Sequence, residues 1–159
     1  MTHEDYMREA LALAQKAAQE GEVPVGCVIV REGRIIGRGR NRREADNNAL
    51  AHAELEAIAQ ACKTLGGWRL SGCTLYVTLE PFPMCAGGII NARIPAVYYG
   101  AKDNGVGACG SVLNLFEENF RHKPRLVGGV LREECQGLLT AFFQDLRKPS
   151  KKEVDLRIL

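Results

Sequence analysis

The chain has 159 residues, of which 46% are hydrophobic and 25% charged, and its net charge is only +2. These values are typical of a single soluble globular domain, and the near balance of charge does not by itself indicate a nucleic-acid partner. No run of eighteen apolar residues occurs, and the acidic start Met1-Thr2-His3-Glu4-Asp5 differs from a signal peptide. We therefore expect a cytoplasmic protein without a membrane segment.

The first part of the chain predicts a helix, a hairpin and a second helix. Apolar residues recur at helical spacing over residues 4 to 19. Val25 to Val30 and Arg34 to Arg40 are β-type runs separated by Glu32-Gly33, a pair typical of hairpin turns. Ala51 to Leu65 is rich in Ala, Leu and Glu, which favours a helix.

The second part of the chain alternates strands with helices. The predicted elements are a strand Thr74 to Leu79, a helix from Pro83 to about Ala92, and strands Val97 to Gly100 and Arg125 to Val127. A terminal helix from Leu131 to Leu146 follows. Its apolar face comprises Leu138, Leu139, Phe142, Phe143 and Leu146. This order predicts an α/β fold in three α/β/α layers around a five-stranded mixed sheet. We expect one domain over residues 1–148, followed by a basic, frayed tail over residues 149–159.

Two short motifs carry the chemistry that the sequence suggests. His52-Ala53-Glu54 is followed by Pro81-Phe82-Pro83-Met84-Cys85. An imidazole and thiolates on Zn²⁺, an open position for water and a free carboxylate are the parts of a hydrolytic zinc site. His52 can supply the imidazole, Cys85 one thiolate and Glu54 the carboxylate. Phe82 stands where a Cys-x-x-Cys pair would have its first sulfur.

These motifs, together with Glu22-Val23-Pro24-Val25-Gly26, Leu75-Tyr76-Val77-Thr78-Leu79-Glu80-Pro81 and Phe142-Phe143, closely resemble the bacterial tRNA-specific adenosine deaminases over residues 4 to 148. The resemblance implies a cytidine-deaminase-like fold, one zinc ion per subunit and a homodimer. It implies that Zn²⁺ activates a water, and that Glu54 moves protons while hydroxide attacks C6 of adenine and inosine forms. Glu54→Ala is expected to remove catalysis without releasing the metal.

The same resemblance suggests which residues contact the substrate, an anticodon stem-loop with its wobble adenosine flipped out. Asn41 matches a position that hydrogen-bonds the target nucleotide, although an Asn there is equally typical of a turn. Asp103 and Asn104 match a loop beside the anticodon arm. Arg147, on the terminal helix, can reach a phosphate.

Phe82 departs from the family pattern because phenylalanine offers no lone pair to a metal. His52 and Cys85 are the predicted zinc ligands, and the third protein ligand is not identified by the sequence. A second water, or a sulfur from Cys109 or Cys73, could complete the site; the alternative is a chain that no longer holds zinc.

Three functions remain open on the sequence alone. The leading one is hydrolytic deamination of the wobble adenosine of a tRNA. The second is deamination of guanine, cytosine or a nucleoside by a member of the same superfamily, and the third is a non-catalytic RNA-binding paralogue. Basic residues favour tRNA, since they form three clusters, Arg31 to Arg43, Arg121 to Arg125 and Arg147 to Lys152.

Overall fold

The computed structural model describes residues 1–147, so the predicted tail lies outside the described residues. The elements are α1 (His3–Gln19), β1 (Gly26–Arg31), β2 (Arg34–Arg40), α2 (Ala53–Leu65), β3 (Cys73–Leu79), α3 (Pro83–Asn91), β4 (Ala96–Ala101), β5 (Arg125–Gly128) and α4 (Arg132–Arg147). A short 3₁₀ helix over Leu115–Glu117, between β4 and β5, was not predicted. None of the helices within residues 1–147 has the length and apolar character needed to cross a bilayer.

The five strands form one mixed sheet in the order β2-β1-β3-β4-β5. β1 pairs antiparallel with β2, as the Glu32-Gly33 turn predicts, and also antiparallel with β3. β3, β4 and β5 are mutually parallel. The predicted five-stranded mixed sheet is therefore confirmed.

Helices cover both faces of the sheet and complete the three predicted layers. α2 and α3 contact each other on one face, where their small side chains pack against the buried residues Ile29, Leu75 and Val97. α1 and α4 contact each other on the opposite face, over a second core that includes Met7, Val28 and Tyr76. The two cores leave the edges of the sheet, and the loops at its ends, available for a site.

Helix α2 begins at Ala53 and not at the predicted Ala51, because His52 has an extended backbone with φ −97° and ψ 151°. The Ala53 N–H donates to Oδ1 of Asn41, 3.0 Å away. That bond satisfies one of the amides that a helix start leaves unpaired. An Asn from the preceding strand end thus fixes where the helix starts.

The apolar face predicted for the terminal helix is only partly buried. Leu139 is buried, together with Cys135, but Phe143 is 40% exposed and Leu146 is 58% exposed. The predicted apolar face is therefore buried only in part, because only the first half of α4 lies over the sheet core. The second half leaves an aromatic side chain at the surface.

Gly39 lets β2 approach α2 closely enough to place the site. A Cβ at Gly39 would lie 2.1 Å from the Ala53 carbonyl oxygen and 2.7 Å from the Ala57 nitrogen. Both are backbone atoms, which cannot rotate out of the way. Only a residue without a side chain therefore lets the first turn of α2 lie against the strand.

We expect Gly39→Ala to lower the free energy of unfolding by about 3 kcal/mol, because strand and helix must separate. Denaturant titration of the purified protein measures this. Gly67→Ala is the matched control, since nothing lies within 4 Å of a Cβ there. Equal stabilities for the two variants would contradict the close approach.

Candidate active site

A cavity of about 570 Å³ lies at the carboxyl ends of β3 and β4, where α2 and α3 begin. Ligands bind at this edge in open α/β sheets, because loops and helix N-termini converge there. The lining comes from four segments and comprises Val23, Val25, Asn41, Arg43, Ala49, Leu50, His52, Glu54, Leu79, Glu80, Phe82, Met84, Asp103 and Val106. The two sequence motifs therefore meet in one cavity.

His52 and Glu54 line this cavity together, although residues two apart do not share a face within a helix. The reason is that His52 is the residue before the helix and has extended backbone, whereas Glu54 lies in the first turn. Burial lowers the pKa of His52, and nearby Arg43 lowers it further. His52 is therefore held as a neutral imidazole, the form that has a free lone pair.

The Glu54 carboxyl is buried, with the residue only 4% exposed. Burial raises its pKa from 4.5 to about 7, and hydrogen bonds from its own backbone N–H and from Cys85 limit the increase. A group that titrates near neutral pH can both accept and release a proton under ordinary conditions. Position and pKa thus make Glu54 a candidate acid and base.

Cys85 lies in the first turn of α3 and is fully buried. Burial is the largest cause that raises the pKa of its thiol far above the usual range, and the adjacent Glu54 charge and hydrogen bond raise it further. The Cys85 thiol donates a hydrogen bond to the Glu54 carboxyl group.

Phe82 is the residue before α3, and its side chain lies against His52. The two rings stack with centroids 4.9 Å apart and an angle of 23° between their planes. The aromatic ring therefore stands beside the imidazole, where a second thiolate would complete a zinc site. Within residues 1–147, no three His, Cys, Asp or Glu side chains are grouped so that they could hold a metal ion. The donors present do not fit the complete zinc site that the motif implies.

The two other cysteines considered as ligands differ in their placement. Cys73 begins β3, at the end of the strand opposite the cavity, so about 20 Å of extended chain separates it from Glu80. Cys109 is buried near Glu54 and Glu80; burial, together with the charges of Glu80 and Glu54, raises the pKa of its thiol to about 12. Cys73 is thus excluded as a ligand, and Cys109 adds a neutral thiol to the surroundings of Glu54.

Asn41 lines the cavity and also joins two elements. Its Oδ1 accepts from the Ala53 N–H, and its Nδ2 donates to the Val23 carbonyl at 3.2 Å. A carboxamide has a second lone pair and a second N–H beyond these two bonds. Asn41 can therefore hold the start of α2 against Val23 and still hydrogen-bond to a ligand.

Asp103 and Arg147 extend the site beyond the cavity. A second cavity of about 500 Å³ shares Val23, Leu79 and Asp103 with the first. It is also lined by Lys102, Asn104, Gln136, Leu139, Thr140, Phe143, Gln144 and Arg147. The three residues that the resemblance assigns to the substrate, Asn41, Asp103 and Arg147, therefore lie along one continuous depression.

The fold divides the first basic cluster between the two ends of the sheet. Arg31 and Arg34 flank the hairpin turn, and Arg125 pairs with Ala96 at the start of β4, so both groups lie at the end of the sheet away from the cavity. Arg40 and Arg42 form ion pairs with Glu20 and Glu56, at 2.6 Å and 2.9 Å. The cations that line the two cavities are Arg43, Lys102 and Arg147.

Two buried glutamates beside the cavity were given no role by the sequence reasoning. The Glu22 carboxylate accepts hydrogen bonds from the backbone N–H groups of Glu44 and Ala45. The Glu80 carboxylate accepts hydrogen bonds from the backbone N–H groups of Asp103, Cys109 and Ser111. The available signal was a Glu directly beside Val-Pro-Val or directly after a buried strand. Such a residue is expected to be buried, and a buried carboxylate needs donors.

The family model for MafB19-like deaminases matches residues 1–147. The chain belongs to this deaminase family. It is 52% identical over 153 residues to the tRNA-specific adenosine deaminase of Bacillus subtilis strain 168, covering 95% of each chain. The deaminase motifs identified in the sequence therefore lie within a match that extends over almost the whole chain.

Solved structures also resemble this deaminase. A tRNA:A34 deaminase studied for A-to-I editing at the wobble position of transfer RNA is 43% identical, with a TM-score of 0.82 over 85% of this chain and 99% of that one. A guanine deaminase from Bacillus subtilis is 33% identical, with a TM-score of 0.63 over 95% and 97% of the two chains. The cytidine-deaminase-like fold expected from the sequence is thus confirmed.

Proposed function

We propose that this deaminase hydrolyses the 6-amino group of the wobble adenosine in a tRNA anticodon loop and leaves inosine. The observation that carries the proposal is a buried carboxylate of pKa about 7 in a cavity that continues into a depression bordered by cations. Hydrolytic deamination needs such a group, since protons must leave water and reach both the ring and the departing amine. The 52% identical tRNA-specific adenosine deaminase supports the choice of substrate.

In this proposal Glu54 moves every proton of the reaction. It takes a proton from the attacking water as the oxygen bonds to C6 of adenine, and delivers one to a ring nitrogen. It then takes the remaining proton of the new C6 hydroxyl and delivers it to the amino group, so that the C6 carbonyl forms as the C6–N bond breaks and ammonia leaves. Burial favours this use, because a carboxylate shielded from bulk water exchanges its proton with the bound ligand.

The cavity suits a single unstacked base that is joined to a longer strand. Apolar side chains, among them Val25, Leu50 and Val106, line the first cavity and favour a purine ring, while Asn41 offers hydrogen-bonding groups. Lys102 and Arg147 border the second cavity, where the phosphates of neighbouring nucleotides would lie. A free base would make no use of these cations, which is the reason for preferring tRNA to guanine.

Zinc does not enter this scheme, because the donors present do not fit a complete site. Deaminases of this superfamily hold zinc with a His and two Cys. Here His52 and Cys85 supply two donors, and the ring of Phe82 takes the third place. We propose that the chain binds zinc more weakly than one with Cys at position 82.

We also propose a homodimer. Trp68 is 53% exposed and borders an apolar hollow with Leu55, Ile58 and Ala92, on the outer side of α2 and α3. A second copy covering this hollow would remove a large aromatic side chain from water. Light scattering of the purified protein measures the mass that decides this.

The proposed substrate predicts both a product and a salt dependence. The purified protein is expected to form inosine in a tRNA with adenosine at the wobble position and none in the same tRNA with guanosine there. Three cations on a single strand give a slope near −2 in log affinity against log salt, so anticodon-arm affinity should fall about 16-fold between roughly 50 and 200 mM salt. Nucleoside mass spectrometry and fluorescence anisotropy measure the two quantities. Turnover of free guanine without inosine formation would replace tRNA by the second candidate.

A further inference from the structure

Two loops contribute to the walls of the cavity, and each is held by a buried carboxylate from another part of the chain. One loop follows β2 and contributes Arg43, Ala49 and Leu50 to the lining. The other follows β4 and contributes Asp103 and Val106. The loop after β2 contains no helix or strand, and the loop after β4 contains only an isolated bridge between Cys109 and Asn114 before the 3₁₀ helix Leu115–Glu117. Each loop has internal backbone hydrogen bonds, such as that from the Gly107 N–H to the Asp103 carbonyl, and each is also held by a carboxylate from outside the loop.

Glu80 anchors the loop after β4 at both of its ends. Its Oε1 accepts from the Asp103 N–H at 3.1 Å and from the Ser111 hydroxyl at 2.5 Å. Its Oε2 accepts from the N–H groups of Cys109 and Ser111, both at 3.0 Å. The loop closes tightly over the carboxylate, since a Cβ at Gly107 would lie 2.3 Å from Oε2. One side chain thus holds residues eight positions apart in the chain.

Glu22 anchors the loop after β2 in the same manner. It is 3% exposed, and its two oxygens accept from the Glu44 N–H at 3.0 Å and the Ala45 N–H at 2.8 Å. The Arg42 N–H donates to the Ala51 carbonyl and closes the base of this loop. Within residues 1–147 neither Glu22 nor Glu80 forms an ion pair, so backbone donors compensate both buried charges.

We infer that Glu22 and Glu80 are positioning residues that hold the two walls of the cavity in the geometry that receives the substrate nucleotide. The inference rests on the proposed function for the identity of that nucleotide. A carboxylate suits this role because both of its oxygens are acceptors, whereas a carboxamide of the same shape would direct an NH₂ group at backbone N–H groups. Each anchor therefore fixes a loop through acceptor geometry alone.

The test compares Glu80→Gln, Ser111→Ala and Glu22→Gln with Glu9→Gln, an exposed carboxylate on α1 outside both loops. The hydrogen-exchange rate of the loop amides measures how firmly each carboxylate holds its loop, and this measurement needs no substrate. The dissociation constant for anticodon-arm RNA, and KM and kcat on tRNA, measure the effect of each substitution on the site.

For Glu80→Gln we expect exchange at residues 103 to 111 to rise about tenfold and RNA affinity to fall about tenfold, with KM changing more than kcat. Glu22→Gln should act in the same way on residues 42 to 51, and Ser111→Ala more weakly on residues 109 to 111.

Two outcomes would overturn the inference. In the first, the loop amides exchange faster in every variant but RNA affinity stays within about twofold of the parent. In the second, amides throughout α1 to α4 exchange faster in both Ser111→Ala and Glu22→Gln, which would indicate a general loss of stability. Ser111→Ala removes only one hydroxyl and keeps the test valid if Glu80→Gln does not fold. Failure of the parent protein to bind RNA would instead refute the proposed function, and the loop exchange would still decide whether the anchors exist.

Discussion

Replacing Phe82 with Cys is expected to raise both the zinc content of the purified protein and its rate of inosine formation on tRNA. The substitution supplies the missing thiolate beside His52 and Cys85, and a further thiolate ligand should strengthen zinc binding at least about a hundredfold, or about 3 kcal/mol. Loss of the half-buried ring and its stacking on His52 costs about 1 to 3 kcal/mol of folding stability. The gain in metal affinity is therefore at least comparable with the loss of folding stability in the metal-loaded protein.

Zinc by elemental mass spectrometry and inosine by nucleoside analysis are measured in parallel for the two proteins. Phe82→Ser is the matched control, because it removes the ring and opens the same space without providing a thiolate. Equal effects of Ser and Cys would assign the gain to removal of the ring. If the parent already holds one tightly bound zinc and Phe82→Cys changes neither quantity, position 82 is not a ligand position.

Replacing Glu54 with Gln is expected to abolish turnover and to stabilise the protein at alkaline pH. A carboxamide keeps the shape of the side chain but cannot move protons, so kcat should fall at least about 10²-fold to 10⁴-fold. RNA affinity should stay within about twofold, and the zinc content of a Phe82→Cys background should not change, because Glu54 is not a ligand. Retained turnover, or loss of zinc in that background, would contradict the assignment of Glu54 as proton carrier.

The stability effect follows from the raised pKa of Glu54. The folded protein binds this proton more tightly than the unfolded chain, since the pKa is about 7 when folded and 4.5 when unfolded. The stabilisation from the proton is therefore complete below pH 4.5 and is lost as pH rises through about 7. Glu54→Gln keeps a neutral side chain at every pH, so its advantage over the parent should grow to about 3 kcal/mol by pH 8.

Denaturant titrations of parent and variant at pH 5, 6, 7 and 8 test this sign directly. Glu9→Gln, on the exposed face of α1, provides the control for a carboxylate in water. A difference between parent and Glu54→Gln that stays constant over this range would show that the buried carboxyl does not titrate as the structure indicates.

Periodicity located the helices and strands to within one or two residues, because each element has an apolar pattern that no neighbouring segment interrupts. The start of α2 was placed two residues early, since Ala51 and His52 suit a helix locally, and the deciding contact comes from Asn41, eleven residues before His52. The apolar pattern of α4 was equally clear and yet only part of it is buried. A helical pattern shows which side chains could pack together, but the length of the sheet beneath decides how many do.

The site shows the same division. The two motifs identified His52, Glu54 and Cys85, and the sequence alone revealed that Phe82 interrupts the thiolate pair, because the type of side chain at a ligand position is a local fact. The raised pKa of Glu54 and its hydrogen bond with buried Cys85 could not be read from the sequence, since both depend on packing among residues from different elements.

The sequence by itself determined the family, the order of the elements and the chemistry that each motif residue can offer. Only the tertiary structure decided which residues share the cavity. In the folded chain, Arg31 and Arg125 lie at the end of the sheet away from the cavity. Arg43, Lys102 and Arg147 lie beside the two cavities. Glu22 and Glu80 are buried beneath the loops. The physical reason is that electrostatic and hydrogen-bonding effects depend on distances through space. Strand direction and layer packing set those distances between residues far apart in the chain.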